Sequence, residues 1–446
     1  MFLAVVVLGY WLLPRRVRVW WLFGASMLFY ASWNVGYVPG FLLLIGANYL
    51  LGLAAAGPHG KAATIAAVVL DVAVLGIFKY LDVALGSSAS LLSLVSGETV
   101  EWGGVGLVLP LAISFVTFTL IAYIVDVYRG AAPERDPLHF AVFIAFFPRV
   151  LAGPIMRGQQ FLPQLRFHRH FDLALVDMAV PFLVSGLFKK VLADQLHPVV
   201  RDGFADVGSY SSVALLAIAT AWSFQLYLDF AGYTDLARGS ARLLGLGMPR
   251  NFDWPYRSLS MAEFWRRWHI TLGAWLRDYL YYPLGGSRRG GLRTYVNLIV
   301  TMTLAGIWHG AGGGFAVWGL LQGIGLSVNR WWRRLPSHPV LPVALSWVIT
   351  FAFVVLARIP FVAPDLESAA DFYARMLVPH GGTMPSAALV ATLALFIVAQ
   401  WAGWVPLARR LAPRRSARRW LAYGVALAIA VMLLPPGAPA FIYQQF

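Results

Sequence analysis

Apolar runs close to the ~20 residues that cross the hydrocarbon of a bilayer recur from one end of the chain to the other, separated by short polar stretches rich in arginine, glycine and proline. Length and helical period together predict helices near residues 1–14, 19–33, 38–56, 62–80, 105–125, 138–153, 175–196, 211–230, 294–310, 314–330, 340–357, 386–406 and 420–435. This makes roughly 11 to 13 membrane segments, because several runs are short or broken by Gly and Pro and fit re-entrant or interfacial pieces, whose irregular backbone needs protein or water to cover it. From Phe224 to Gly323 the alternation of span and loop fails, and ionisable and aromatic residues crowd among apolar ones. Function is expected there, with a core at about 222–325.

Composition settles the solvent. Of 446 residues 59% are hydrophobic and 12% charged, with a mean hydropathy of +0.68, more apolar surface than one soluble core could hide. The expectation is an all-α integral membrane protein with a single membrane domain over 1–446. The first run is followed, not preceded, by Arg15, Arg16 and Arg18, the reverse of a secretory signal. It reads as a membrane segment, shortened if the start is placed late.

The net charge of +15 falls in short clusters between apolar runs, the pattern of cytoplasmic loops and not of a nucleic-acid face. The clusters at Arg15–Arg18 and Arg409–Arg419 are expected inside the cell, and the start outside. The connection from Arg358 to Pro385, with Asp365, Glu367 and Asp371, and the loop before Val105, with Glu98 and Glu101, are expected outside. Cysteine is absent, which excludes disulfides, thiolate metal sites and a Cys-linked acyl-enzyme. No tight ligand cluster suggests a metal.

Seven of the nine histidines, His59, His139, His168, His170, His197, His338 and His380, sit in or beside predicted loops, where a solvated role is the default. His309 differs. It ends the apolar segment TMTLAGIWHG, residues 301–310, and an intramembrane histidine is a functional hypothesis by default, against the alternative of a bond between helices. Gly306 with Gly310 and Gly319 with Gly323 form small-xxx-small pairs, which predict close helix contact. His269 closes EFWRRWH, residues 263–269, too charged to span and too aromatic for an ordinary loop. On an interfacial or re-entrant helix Glu263 and Arg267 would pair at i,i+4, with Trp265 and His269 on another face. The alternative there is an interface anchor.

Asp229 and Asp235 lie in an aromatic setting, with Arg238 placed to pair with Asp235 at i,i+3; a structural ion pair is the simpler reading, and a substrate-facing role the other. Arg277, Asp278 and Tyr279, followed by YYPLGG and Arg288–Arg289, read as a chain leaving the membrane through a turn into a basic cytoplasmic loop. Its arginines could meet donor phosphates, although topology alone explains them.

The segments PLAISFVTFTLIAYIVDVYRG, FPRVLAGPIMRGQQFLPQL, GLFKKVLAD, Phe224–Arg238, Asn251–Gly286, Gly306–Gly323 and the final FIYQQF run in the order found in the MBOAT (membrane-bound O-acyltransferase) family. They resemble its bacterial branch, which includes alginate O-acetylation and teichoic-acid D-alanyl transfer proteins. The combination of FWRRWHITL with GIWHG is specific, and the resemblance covers nearly the whole chain, with an amino-terminal segment shorter than usual. It implies that His309 matches the family's signature histidine and His269 the second histidine of the branch, both lining a passage through a thin central part. Trp265, Trp268 and Trp308 become candidates for that lining, and Arg266, Arg267, Tyr279 or a backbone amide for oxyanion stabilisation.

The resemblance further implies acetyl-CoA, or another cytoplasmic thioester, as donor substrate and no bound cofactor. It implies a bacterial cytoplasmic (inner) membrane and a polysaccharide acceptor, reached directly or through an SGNH-hydrolase-like extracytoplasmic partner. D-alanyl transfer, peptidoglycan O-acetylation, lipid acylation and, outside enzymes, transport are the alternatives.

Overall fold

The computed structural model describes residues 1–99, 102–167, 170–337, 339–402 and 417–434. His168, His338, Glu101, the arginine side chains from 409 to 419 and the FIYQQF ending lie outside the described residues. Among the described residues the chain is helical with no strand, only an isolated bridge between Tyr210 and Thr383. It divides into two compact units, Met1–Asp172 with Ser240–Met248, and Leu173–Gly239 with Pro249–Phe446.

The first unit is built from α1 (Phe2–Leu12), α2 (Arg18–Ala31), α3 (Val38–Ala55), α4 (Gly60–Ser96), α5 (Ile113–Tyr128), α6 (Pro137–Ala145), α7 (Phe147–Val150) and α8 (Gly158–Arg166). Three of its elements depart from the sequence expectation. Helix α4 runs 37 residues instead of ending near Tyr80, and stops only where Gly97 takes φ 72°, a left-handed cap that glycine adopts without a Cβ penalty. At 1.5 Å per residue it is about 55 Å long, longer than the bilayer core is thick. The predicted span from Val105 instead begins at Ile113, because Gly104 and Gly106 hold φ 74° and 67° and keep the approach out of a helix. The expected segment at 138–153 breaks at Phe146, φ −49° and ψ 106°, just ahead of Pro148 in α7, whose ring fits a first turn and has no N–H to continue the earlier helix.

The second unit holds α9 (Leu173–Ala205), α10 (Ser212–Leu243) as far as Gly239, α11 (Met261–Arg267), α12 (Ile270–Leu276), α13 (Gly291–His309), α14 (Gly313–Trp332), α15 (Val343–Leu356), α16 (Ile359–Val362), α17 (Leu366–Leu377), α18 (Ala387–Ala402) and α19 (Ala417–Met432). Its core joins Trp222, Phe224, Leu226, Tyr227, Tyr256, Phe264, Trp268, Trp318, Val354 and Phe361. Aromatic residues dominate it because α11, α12 and their flanking loops are short, and large rings fill the space that longer helices would occupy.

Apolar side chains also face outward. Val69, Val72 and Leu91 on α4, Leu345 and Ile349 on α15, and Leu395 and Val398 on α18 are exposed, as expected where lipid is the solvent. Among the described residues four helices are long and apolar enough to cross a membrane, at Val35–Ala55, Gly60–Ser96, Ser212–Leu243 and Val343–Val362, with shorter apolar helices at Phe2–Leu12, Ile113–Tyr128, Ala387–Ala402 and Trp420–Met432. The protein is a multi-pass, all-α membrane protein.

Candidate active site

Glycine brings the site together. A Cβ on Gly306 would stand 3.0 Å from Gly319 Cα, and one on Gly323 would stand 2.7 Å from Ile299 Cα, so α13 and α14 touch backbone to backbone as small-residue pairs allow. A Cβ on Gly310 would strike the Phe315 ring, and one on Gly314 the carbonyl of Pro360. That last approach brings α16 against the start of α14.

At the end of α13 these contacts enclose His309, which is 4% exposed. Its imidazole meets the edges or faces of three rings, Trp308 at 4.7 Å, Trp318 at 5.3 Å and Phe361 at 5.3 Å between centroids. Trp318 and Phe361 also touch each other at 5.2 Å. Trp265, from α11, completes the wall: its ring lies 6.1 Å from Trp318, and its Nε1–H donates to Gln322 Oε1 at 3.2 Å. Trp308 therefore stands beside His309 and Trp265 one ring further out, behind Trp318, while Trp318 and Phe361 are neighbours that no motif singled out.

His269 is fully buried and faces elsewhere. The i,i+4 pair on α11 forms as expected, Arg267 Nη2 to Glu263 Oε1 at 2.8 Å, and Arg267 also reaches Asp253 Oδ2 at 3.3 Å. Burial would raise the Glu263 carboxyl, but the Leu259 amide and Arg267 hold it below the usual carboxylate range. The expectation that Trp265 and His269 share a helix face is corrected: α11 ends at Arg267, and His269 takes φ 42° and ψ 55°. Such a left-handed turn is costly for a residue with a Cβ.

The turn is held by Asn251, whose backbone carbonyl accepts the Ile270 N–H at 2.9 Å. Its side-chain oxygen accepts from Thr271 Oγ1 at 2.9 Å and lies 3.2 Å from His269 Nδ1. The imidazole then stands edge-on to Phe230 of α10 at 4.7 Å. Asn251 is 1% exposed, and a buried amide at the head of FDWPYR is the signal that marks it as a positioning residue.

The other candidates divide. Trp268, 3% exposed, stacks on Phe264 at 5.7 Å, and so joins the two walls. Arg266 is exposed, and Arg267 is committed to Glu263 and Asp253. Asp229 pairs with Lys190 at 3.0 Å, a lysine that also meets Asp194 at 2.6 Å. Asp235 bonds Lys189, accepts from Ser185 Oγ at 3.1 Å, and reaches its expected partner Arg238 only at 3.8 Å. Both carboxylates thus face α9 in ion pairs, through lysines 39 to 46 residues away in sequence.

Arg277 and Asp278 pair at 2.7 Å with the arginine more than half exposed, on a π-helical turn at Arg277–Tyr281, and Tyr279 rests on Trp275 at 5.4 Å. Arg358, expected in an outer loop, is instead 2% exposed.

A buried imidazole walled by rings, at the end of a glycine-packed helix pair, is arranged to take a proton away from water. The sequence profile of MBOAT, the membrane-bound O-acyltransferase family, matches residues 134–359, which include His309, His269 and every ring around them except Phe361. The chain belongs to that family, and the protein is an acyltransferase.

A peptidoglycan O-acetyltransferase of Helicobacter pylori is 38% identical over 410 residues, 82% of this chain and 76% of that protein. A probable alginate O-acetylase AlgI of Azotobacter vinelandii is 38% identical over 383 residues, 84% of this chain and 76% of that protein. A teichoic acid D-alanyltransferase of Streptococcus thermophilus is 31% identical over 238 residues, 50% of this chain and 57% of that protein.

Proposed function

We propose that the protein carries acetyl groups from acetyl-CoA, at the cytoplasmic face of the bacterial inner membrane, towards the O-acetylation of an exported polysaccharide. The observation that carries this reading is His309, an imidazole buried among rings where the family's profile matches, in a chain 38% identical over most of its length to an AlgI and a peptidoglycan O-acetyltransferase. D-alanyl transfer ranks lower because the similarity to the Streptococcus protein spans only 50% of this chain. An SGNH-hydrolase-like partner outside the membrane would complete delivery to the polymer.

In the proposed reaction a neutral His309 accepts the proton of an acceptor hydroxyl as its oxygen attacks the thioester carbonyl. The new C–O bond forms and the carbonyl pair moves onto oxygen. Collapse then breaks the C–S bond, and the proton passes from the imidazolium to the departing thiolate. A neutral imidazole is needed at the start, since only that form can accept the proton. His269, set by Asn251 on the far side of Trp268, is proposed as the second histidine of the transfer route.

The test is the acetyl ester content of exported polysaccharide in a deletion strain. Complementation by the wild-type gene should restore the esters. Unchanged esters in the deletion strain, with altered D-alanyl or lipid esters, would replace this reading.

A further inference from the structure

Arg358 is a cation where a cation is expensive. It lies in the apolar stretch Val343–Val362, is 2% exposed, and among the described residues pairs with no carboxylate. An arginine keeps its charge in such a place, so something must offset it.

Part of the offset is visible. The guanidinium carbon lies 4.0 Å from the centroid of Trp268, 5.4 Å from Tyr256 and 5.6 Å from Phe264. Nη1 donates to the Tyr256 hydroxyl and, at 3.5 Å, to the Ser223 carbonyl. Ring faces and one carbonyl are weak substitutes for a carboxylate. A donor is also left over beside it: Ser223, whose carbonyl the guanidinium meets, has a buried Oγ with no hydrogen-bond partner among the described residues. A cation with a spare donor beside it is the complement of a ligand made of acceptors and carrying negative charge.

Its neighbours locate that ligand's place. Trp268 directly precedes His269, Phe264 stacks on Trp268, and Phe361, three residues beyond Arg358, packs on His309 at 5.3 Å. The residues first considered for an anionic oxygen are placed otherwise, Arg267 in ion pairs and Arg266 exposed.

We propose that Arg358, with the Ser223 hydroxyl, is the fixed positive site that holds the acyl carbonyl oxygen while it is anionic, between attack of the acceptor and loss of the thiolate. The inference rests on the acetyl-transfer reading above. A preorganised donor of this kind acts on the transition state more than on the bound thioester. The same cation could instead hold a donor phosphate, which would act on ground-state binding.

The two sources separate in kinetics of the purified full chain in vesicles with acetyl-CoA. Arg358→Met should lower kcat about 10²-fold with KM for acetyl-CoA within about twofold of wild type. Its melting temperature should not fall, since an apolar side chain of similar length in place of an unpaired buried charge is neutral or stabilising. Arg358→Lys, which keeps the charge and loses the fork, should lie between the two in kcat. A wild-type kcat in the Met variant, or a KM that rises alone, would overturn the assignment. So would loss of activity that follows loss of folded protein in both variants. If wild type itself transfers no acetyl, the reading of function fails, which is a separate result.

Discussion

Replacing Gly306 by alanine adds one methyl group at the closest approach of α13 and α14. The Cβ would lie 3.0 Å from both Cα and N of Gly319 and closer still to the Phe315 carbonyl. Neither contact is the far end of a flexible side chain, so the backbones themselves must part by several tenths of an ångström. Overpacking of this kind costs about 1–3 kcal/mol.

Alanine also gains about 1 kcal/mol of helix propensity over glycine, which offsets the smaller end of that range and leaves a net loss of about 0–2 kcal/mol. The larger effect falls on activity. Gly306 is three residues before His309, and Trp318 and Phe315 lie on the helix pushed away, so the imidazole shifts against the rings that set it. A displacement near 1 Å at a reacting group costs about 10²-fold in rate.

The assay is acetyl transfer per mole of folded protein, alongside thermal unfolding in the same vesicles. Gly46→Ala is the control, because nothing lies within 4 Å of a Cβ there and only the propensity gain remains. Gly306→Ala with wild-type transfer and a melting temperature raised as in Gly46→Ala would refute the claim that glycine contact positions the site.

Three further outcomes are expected. His309→Ala should abolish acetylation while abundance and membrane insertion stay at wild-type levels, measured by ester content against immunoblot. His269→Ala should impair transfer more than His380→Ala, whose ring bonds Ser212 and Tyr210 at the surface; equal effects would count against the placement of His269. Asp365 caps α17 and its carboxyl is held below the ordinary range by the Ser368 amide. That cap therefore contributes fully above the ordinary carboxylate range and is lost as pH falls below it, so hydrogen-exchange protection in 366–377, corrected for the intrinsic rate, should fall in acid, and less so in Asp365→Asn.

Much of this was legible in the sequence where the cause is local. The Glu263–Arg267 pair follows from helical spacing alone, and the glycine pairs announced the α13–α14 contact by their i,i+4 placement. His309 stood out because an imidazole at the end of an apolar run is a functional candidate by default, with a bond between helices as its alternative. The helix break at His269 was not legible, since it depends on Asn251, 18 residues earlier, holding a left-handed turn. Nor was the burial of Arg358, which reads as the first residue of an acidic loop until α16 turns back and places it over Phe264 of α11 and over Trp268 just beyond that helix. The lysines of GLFKK were equally silent about Asp229 and Asp235, because their meeting requires α9 to lie against α10.

The most direct test of the central claim is acetyl-CoA consumption by the purified protein in sealed vesicles, wild type against His309→Ala at equal folded content, with a hydroxyl acceptor supplied. Consumption by wild type that requires the acceptor and disappears in His309→Ala is the predicted result. Equal consumption by both proteins, or none by wild type in the presence of acceptor, would contradict it.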